Sequence, residues 1–302
     1  MPYIESVPNV SEGRKKSVVE GLASLIRADQ HARFLDYSSD FDHNRSVFTY
    51  VTDPQAFLPL AFQFVKKACE TIPINLHEGV HPYLGAVDVF PLVPLPGVPI
   101  ETCVELARAL GDQVALELDL PVYFYGDAAI EPERESLVDV RRGGYAFLKE
   151  ELAIGRRKPD RGPSKLHPTG GAIAIGVRKF LIAFNVNLRT CDLPFAAEVA
   201  KALREKNSGL IGVRALGVPL HSRGMVQVTV NLTDCEKTSL KQVFDFVKKR
   251  ATRRGILIEG SELIGLIPKQ AVFPEMASYL KLKHFTDEKI LEHRLSGQEK
   301  RG

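Results

Sequence analysis

The sequence predicts an α/β protein of the α+β type, with two ferredoxin-like split βαβ subdomains whose sheets face each other across a ligand cleft. Two observations predict this fold. The 302 residues are enough for about two average domains. The pattern β-α-β-β-α-β also occurs twice along the chain. Two helices on one face of each antiparallel sheet would leave the other face free to line a cleft.

The first copy of the pattern is read from runs rich in β-branched and aromatic residues and from apolar residues at helical spacing. A strand is expected at Tyr3–Val7, followed by a helix that begins near Ser11. The remaining predicted elements of this half are strands at 32–38 and 45–51, a helix from Pro54 to about Glu70, a strand at 86–92, a helix at 100–117 and a strand at 121–125.

The second copy follows a segment rich in proline and glycine at 159–171, which predicts a linker and two domains, 1–165 and 166–302. The predicted elements are a strand at 179–188, a helix at 193–205, strands at 210–220 and 225–232, a helix at 240–253 and a strand at 255–259. The charged tail at 284–302 is expected to form a surface helix.

Composition excludes several classes of function. The chain has 40 basic and 37 acidic residues, a balance that argues against nucleic acid as the main partner. Its four cysteines form no CxxC pair, so a zinc ribbon is not expected. Neither a signal peptide nor a run of 18 apolar residues is visible. These observations predict a cytoplasmic protein that does not interact with membranes.

The densest polar chemistry lies between Asn75 and Asp88, where His77, Glu78 and His81 also occur. His77 to His81 match H-E-x-x-H, the zinc-peptidase motif, which requires a helix to bring both histidines to one metal ion. Gly79 lies inside that segment and Pro82 directly follows it, and both residues disfavour a helix. A loop without a metal is therefore the preferred interpretation.

The segment HEGVHPYLGAVDVFPLVPL in this region resembles the signature of the glutamate formiminotransferases, the formiminotransferase part of formiminotransferase-cyclodeaminase. VPNVSEGR, LDYSSDFDHNRSVFTYV, PVYFYGDAA, GVRKFLIAFNVNL, VQVTVNL and GSELIGLIP resemble that family in the same order. No cyclodeaminase segment follows, so the chain resembles the stand-alone form. The resemblance implies two α/β subdomains around a folate tunnel and a homodimer.

The resemblance also implies the reaction, which is transfer of a formimino group between formiminoglutamate and tetrahydrofolate in histidine degradation and one-carbon metabolism. Tetrahydrofolate is then a co-substrate, and His81, the histidine before proline, is the acid/base group. Imidazole suits that task at neutral pH. Some members carry an acidic residue where this chain has Ser38, so Asp40 or Asp42 is a candidate for a relay charge.

Further candidates come from the substrates' chemistry. Arg45 and Arg178 stand at the ends of apolar strand runs and could hold carboxylates in a bidentate fork, although each could also be an exposed residue at a sheet edge. Asparagine is disfavoured in strands, so pterin recognition or local satisfaction of the sheet could explain several such residues. The candidates of this kind, with the acidic residue of the loop, are Asn44, Asn185, Asn187, Asn231 and Asp88.

Three alternative functions remain open at this point. The chain could transfer a formyl group between 5-formyltetrahydrofolate and glutamate. It could be a zinc metallohydrolase that uses His77 and His81. It could also be a folate-binding protein without catalysis.

Overall fold

The computed structural model describes residues 2–297 of the chain, which divides into two compact units after Lys179. The protein is a mixed α/β structure of the α+β type with two sheets, one in each unit. The division falls later than the boundary after residue 165 that the sequence pattern suggests. The reason is the strand at Ile173–Val177, which belongs to the first sheet.

The first unit contains strands and helices in the order that its periodicity predicts, with an additional short strand at Asn9–Val10, a first helix that begins at Lys16 and not near Ser11, and additional elements after residue 126. The strands are β1 (Ile4–Ser6), β2 (Asn9–Val10), β3 (Ala32–Asp40), β4 (Arg45–Thr52), β5 (Val87–Pro94), β6 (Val122–Gly126) and β7 (Ile173–Val177). The helices are α1 (Lys16–Ala28), α2 (Phe57–Thr71), α3 (Ile100–Leu118), α4 (Leu137–Val140) and α5 (Gly144–Ala153).

These strands form one seven-stranded sheet. β3 pairs with β4, β1 and β2 both lie between β4 and β5, and β7 and β6 extend the sheet beyond β5. The pairs up to β5 are antiparallel, whereas β5–β7 and β7–β6 are parallel. Parallel neighbours need long crossover connections. The segment 127–172 between β6 and β7 is such a connection.

Both faces of the first sheet carry packed side chains in the part formed by β5, β6 and β7. The larger core lies under α1, α2 and α3 and includes Phe48, Phe64 and Phe90. A smaller cluster on the opposite face joins Tyr123 and Tyr125 of β6 to residues of α4 and α5. The sequence pattern predicts helices on one face only, so the cover provided by α4 and α5 is a correction to it.

The second unit has the order β8 (Ile182–Leu188), α6 (Leu193–Leu203), β9 (Val213–Leu220), β10 (Met225–Leu232), α7 (Leu240–Arg253) and β11 (Ile258–Ile264). Its antiparallel sheet has the strand order β11-β8-β10-β9. α7 begins with a capping box in which Ser239 and Gln242 satisfy each other's backbone groups. The core lies between α6, α7 and one sheet face.

Two short helices, α8 (Met276–Tyr279) and α9 (Leu291–Gly297), follow β11. α9 occupies part of the tail predicted to be helical, and residues 298–302 of that prediction lie outside the described residues. β9 begins at Val213, three positions inside the predicted strand, because Leu210 forms only an isolated bridge with Arg204 and residues 211–212 form a turn. Within residues 2–297, no helix is long and apolar enough to cross a membrane.

Candidate active site

The loop that carries His81 connects a short 3₁₀ turn, Ile74–Leu76, to β5, and it contains no helix between His77 and Tyr83. The loop prediction is therefore confirmed, and the H-E-x-x-H spacing does not present two histidines on one helical face. Gly79 explains how the loop packs, since a Cβ atom at this position would lie 2.4 Å from the carbonyl oxygen of His43. The loop is thereby held against the turn between β3 and β4.

The imidazole of His81 has a fixed tautomer. Its Nδ1 atom lies 2.7 Å from the carbonyl oxygen of Pro82, and a carbonyl can only accept, so Nδ1 must carry the proton. Nε2 then keeps its lone pair. Burial holds the pKa of His81 well below its ordinary value, and the positive charges of Arg45 and Arg141 lower it further. The side chain is only half-buried, and as a neutral imidazole it can accept a proton.

A buried group of charges lies beside His81. The carboxylate of Asp88 has no exposed surface and forms ion pairs with both Arg45 and Arg141. Its Oδ1 atom also accepts the Leu84 N–H at 3.0 Å. Burial opposes ionisation of Asp88, but the two guanidinium groups outweigh it and keep the pKa of this carboxyl below its usual range. Two cations and one anion leave this group with an excess of positive charge.

An irregularity in the first sheet sets the direction of the Asp88 side chain. Asn9 pairs with Val89 while Val10 pairs with Val87, so Asp88 is the extra residue of a β-bulge on β5. Bulges of this kind re-aim a side chain and occur often next to active sites. Arg45 is oriented by Asn9, whose Oδ1 atom accepts from Nε at 3.1 Å and from Nη2 at 2.7 Å. Burial lowers the pKa of Arg45 to about 10, so it stays charged at neutral pH.

Arg141 is a residue of this group that sequence reasoning missed. It follows α4 directly, in the segment 127–172 where periodicity predicts no element. Arg157 supports this turn, because its guanidinium donates to the carbonyl oxygens of Arg142 at 2.7 Å and of Asp139 at 3.3 Å, and also to that of Val140. The only signal in the sequence is the pair of arginines before two glycines at 141–144, which has no specific spacing.

Asn44 and Asp40 hold the surrounding loops. Asn44 adopts a left-handed backbone with φ of 47°, accepts the Gly13 N–H at 2.9 Å and donates to the Glu78 carbonyl at 3.0 Å. Its amide nitrogen also lies 3.3 Å from Nδ1 of His77. Asp40 accepts the His43 N–H at 2.7 Å. Both residues therefore position backbone next to His81.

The imidazole of His77 packs edge-on against Tyr83, with ring centroids 4.4 Å apart, and burial lowers its pKa. These contacts are typical of a structural histidine. In the described part of the chain, no group of three or more His, Cys, Asp or Glu residues is arranged to hold a metal ion.

Arg178 lies directly after β7 and donates to the Lys179 carbonyl oxygen at 3.0 Å. Burial lowers its pKa, and the nearby Tyr125 and Glu5 partly offset that effect. Asp88 and Arg141 also act electrostatically on Tyr125. Arg178 is therefore a third cation, beside Arg45 and Arg141, near the same group of charges.

The remaining candidates lie in the second unit. Asn185 and Asn187 are buried on β8, and Asn231 is exposed on β10. Asn187 donates to Glu262 at 2.9 Å and accepts from Gln227 at 2.8 Å. The structure thus brings together His81, Arg45, Asp88 and their supports in the first unit. Asn185 and Asn187 form a separate polar group on the second sheet.

A neutral imidazole whose Nε2 atom keeps its lone pair, next to buried excess positive charge, is an arrangement that suits an enzyme catalysing proton transfer on an anionic substrate. Residues 3–178 match the family model for the formiminotransferase domain, N-terminal subdomain, and residues 183–294 match that for the formiminotransferase domain. The chain belongs to the formiminotransferase family.

Several relatives cover nearly the whole chain. Glutamate formimidoyltransferase from Streptococcus pyogenes serotype M1 is 41% identical over 97% of this chain and 99% of its own length. Glutamate formimidoyltransferase from Thermoplasma acidophilum is also 41% identical, over 98% of each chain. Formimidoyltransferase-cyclodeaminase from Mus musculus is 38% identical over 97% of this chain, which corresponds to 55% of that longer protein.

Proposed function

We propose that this chain is a stand-alone glutamate formimidoyltransferase that moves a formimino group between formiminoglutamate and tetrahydrofolate. The family match over both units and the near full-length similarity to two glutamate formimidoyltransferases support the proposal. The structural observation that carries it is the fixed tautomer of His81 beside Arg45 and Arg141. It provides a base and a positive environment in one place.

In the proposed mechanism, Nε2 of His81 accepts a proton from the attacking nitrogen of the co-substrate and returns a proton to the departing nitrogen of glutamate. A low pKa keeps the imidazole neutral and ready to accept at pH 7. A bound carboxylate would offset part of the positive charge and raise the pKa of His81 towards the working pH. The imidazolium could then act as the acid in the second half of the reaction.

Arg45, Arg141 and Arg178 fit the anionic groups of both substrates. Glutamate and the folate tail carry carboxylates, and guanidinium groups bind carboxylates in a two-point fork. The negative charge of Asp88 offsets one of the two positive charges of Arg45 and Arg141, and its ion pairs hold both guanidinium groups in place. The remaining positive charge can therefore bind a substrate carboxylate. The proposed reaction leaves this carboxylate chemically unchanged.

The architecture extends this proposal. Each unit contains four antiparallel strand positions in the spatial order expected of a ferredoxin-like split βαβ fold. In the first unit the order is β5, then β1 and β2 sharing one position, then β4 and β3; in the second it is β11, β8, β10 and β9. We propose that the two sheet faces enclose the folate cleft, that residues 1–165 and 166–302 are the two functional subdomains, and that the enzyme is a cytoplasmic homodimer.

The deciding experiment mixes the purified chain with tetrahydrofolate and formiminoglutamate and follows 5-formiminotetrahydrofolate and glutamate. Turnover of this pair supports the proposal. Turnover only with 5-formyltetrahydrofolate and glutamate would replace it with a formyltransferase, and folate binding without turnover would replace it with a binding protein. Loss of activity with a chelator, together with near-stoichiometric zinc, would favour the hydrolase alternative.

A further inference from the structure

The second unit has a buried polar row on the sheet face opposite its helices. Phe184, Val186 and Val228 point to the helical core, so the alternating residues Asn187 and Gln227 lie on the other face, directly opposite each other on β8 and β10. Asn187 is 1% exposed and Gln227 is fully buried. Amides buried in the middle of a sheet are unfavourable without partners, so this pair requires an explanation.

A directed chain of hydrogen bonds fixes both amides. Glu262 Oε1 accepts from Arg223 at 2.7 Å and from the Asn187 amide nitrogen at 2.9 Å. Because an ionised carboxylate only accepts, Asn187 must turn its nitrogen towards Glu262 and its oxygen towards Gln227. That oxygen accepts from the Gln227 nitrogen at 2.8 Å. The orientation of Gln227 is thereby set, and its oxygen points away from the chain of bonds.

Gln227 Oε1 is the unsatisfied end of this chain. It is buried and has no hydrogen-bond partner among the described residues. A buried acceptor without a donor is costly, so a group with N–H donors is expected against this face. The contacts of Glu262 with Asn187 and Arg223 both fall on Oε1, which leaves its second oxygen as another acceptor.

Among the groups of the proposed substrates, only the pterin offers adjacent donors on a planar ring. Its 2-amino-4-oxopyrimidine edge carries a ring N–H beside an exocyclic amino group, whereas carboxylates would be repelled by two acceptors. We infer that Gln227 and Glu262 bind the amino-bearing edge of the pterin and distinguish it from related heterocycles. The inference rests on the proposed function and assigns one substrate's specificity to the second unit.

The test measures equilibrium binding of tetrahydrofolate and of an analogue that lacks only the 2-amino group. The unchanged protein should prefer tetrahydrofolate by roughly tenfold or more, because a site built on hydrogen bonds rejects a ligand that leaves its groups unpaired. Gln227→Met, which keeps the side-chain length, should reduce that preference to about twofold or less. Gln270→Met is the matched control, since Gln270 is an exposed glutamine whose side chain contacts Cys235 and not Asn187 or Glu262, and it should keep the full preference.

The outcomes separate the two proposals. If the unchanged protein binds neither ligand, the proposed function fails. If it binds tetrahydrofolate but Gln227→Met weakens both ligands equally, Gln227 has only a structural role and the inference is overturned. If Gln227→Met does not fold, as judged by circular dichroism, Glu262→Gln carries the test, because Glu262 lies at the partly exposed end of the chain of bonds. Loss of preference in that variant supports the inference, and an unchanged preference overturns it.

Discussion

The Nδ1 atom of His81 and the carbonyl oxygen of Pro82 lie 2.7 Å apart, so neighbouring residues in one loop fix which imidazole nitrogen can react. We expect His81→Ala to lower kcat by about 10²- to 10⁴-fold, the usual effect of losing a general acid/base. Tetrahydrofolate should still bind, because Asp88 and not His81 holds Arg45 and Arg141 in place. Steady-state kinetics and direct folate binding check both expectations.

His77→Ala is the control for that change, since the two histidines share a loop and differ in environment. His77 packs against Tyr83, and its Nδ1 atom contacts the amide nitrogen of Asn44. Removal of the His77 side chain should therefore affect stability more than turnover. Equal loss of activity in both variants together with loss of bound metal would overturn the acid/base assignment. Near-normal turnover in His81→Ala would also contradict it.

A second prediction concerns the pH dependence set by Arg141. Because the pKa of His81 lies well below 6.5 in the free enzyme, kcat/KM should stay level as the pH falls through 6.5 and decrease only at lower pH. Arg141→Gln removes a positive charge that lowers this pKa, so the acidic limb should move to higher pH.

Arg142→Gln provides the matched control, because the neighbouring Arg142 is 73% exposed and pairs with Asp139 at the surface. Its charge is screened by solvent, so the acidic limb should stay in place. A limb that stays unchanged in Arg141→Gln, or moves equally in both variants, would show that Arg141 does not set the pKa of His81.

Arg178 tests carboxylate binding without disturbing the Asp88 ion pairs. Arg178→Lys keeps the charge but loses the fork, so KM for formiminoglutamate or tetrahydrofolate should rise by about tenfold with little change in kcat. Arg189→Lys is a suitable control, since Arg189 is exposed and bonded to Glu259 in the second unit. Unchanged KM values for both substrates would remove Arg178 from the site.

Local sequence signals predicted much of this structure. The element order of both units follows from short-range periodicity, and the proline and glycine around His81 were enough to predict a loop. The pairing of β7 could not be predicted in the same way, because Ile173–Val177 lies next to β5 and β6 only after a long crossover. The two compact units therefore divide after this strand, at Lys179, whereas the linker signal in the sequence lies before it.

The site shows the same limit. His81, Arg45 and Asp88 stand near recognisable strands, whereas Arg141 follows a four-residue helix without a periodic pattern. Its contact with Asp88 spans 53 positions, and no local spacing encodes such a distance. Gln227 was missed for a related reason, since one glutamine in a strand is unremarkable until its cross-strand partner is known.

The last prediction concerns the stability that Asp88 contributes. Asp88→Asn leaves two buried guanidinium groups without their anion, and breaking a buried pair in this way usually costs about 3–5 kcal/mol. Urea unfolding at pH 7 should show a loss of this order. Asp112→Asn is the control, because its pair with Arg161 lies at the surface and should contribute less than about 1 kcal/mol.

The difference in the free energy of unfolding between the unchanged protein and Asp88→Asn should also depend on pH. The pKa of Asp88 is lower in the folded protein than in the unfolded chain, where it is about 3.9. The stabilisation is therefore fully present above that value and is lost as the pH falls through the folded pKa. The two unfolding curves should converge in acid, and a difference that stayed constant from pH 7 to below pH 3 would show that the carboxylate charge is not its source.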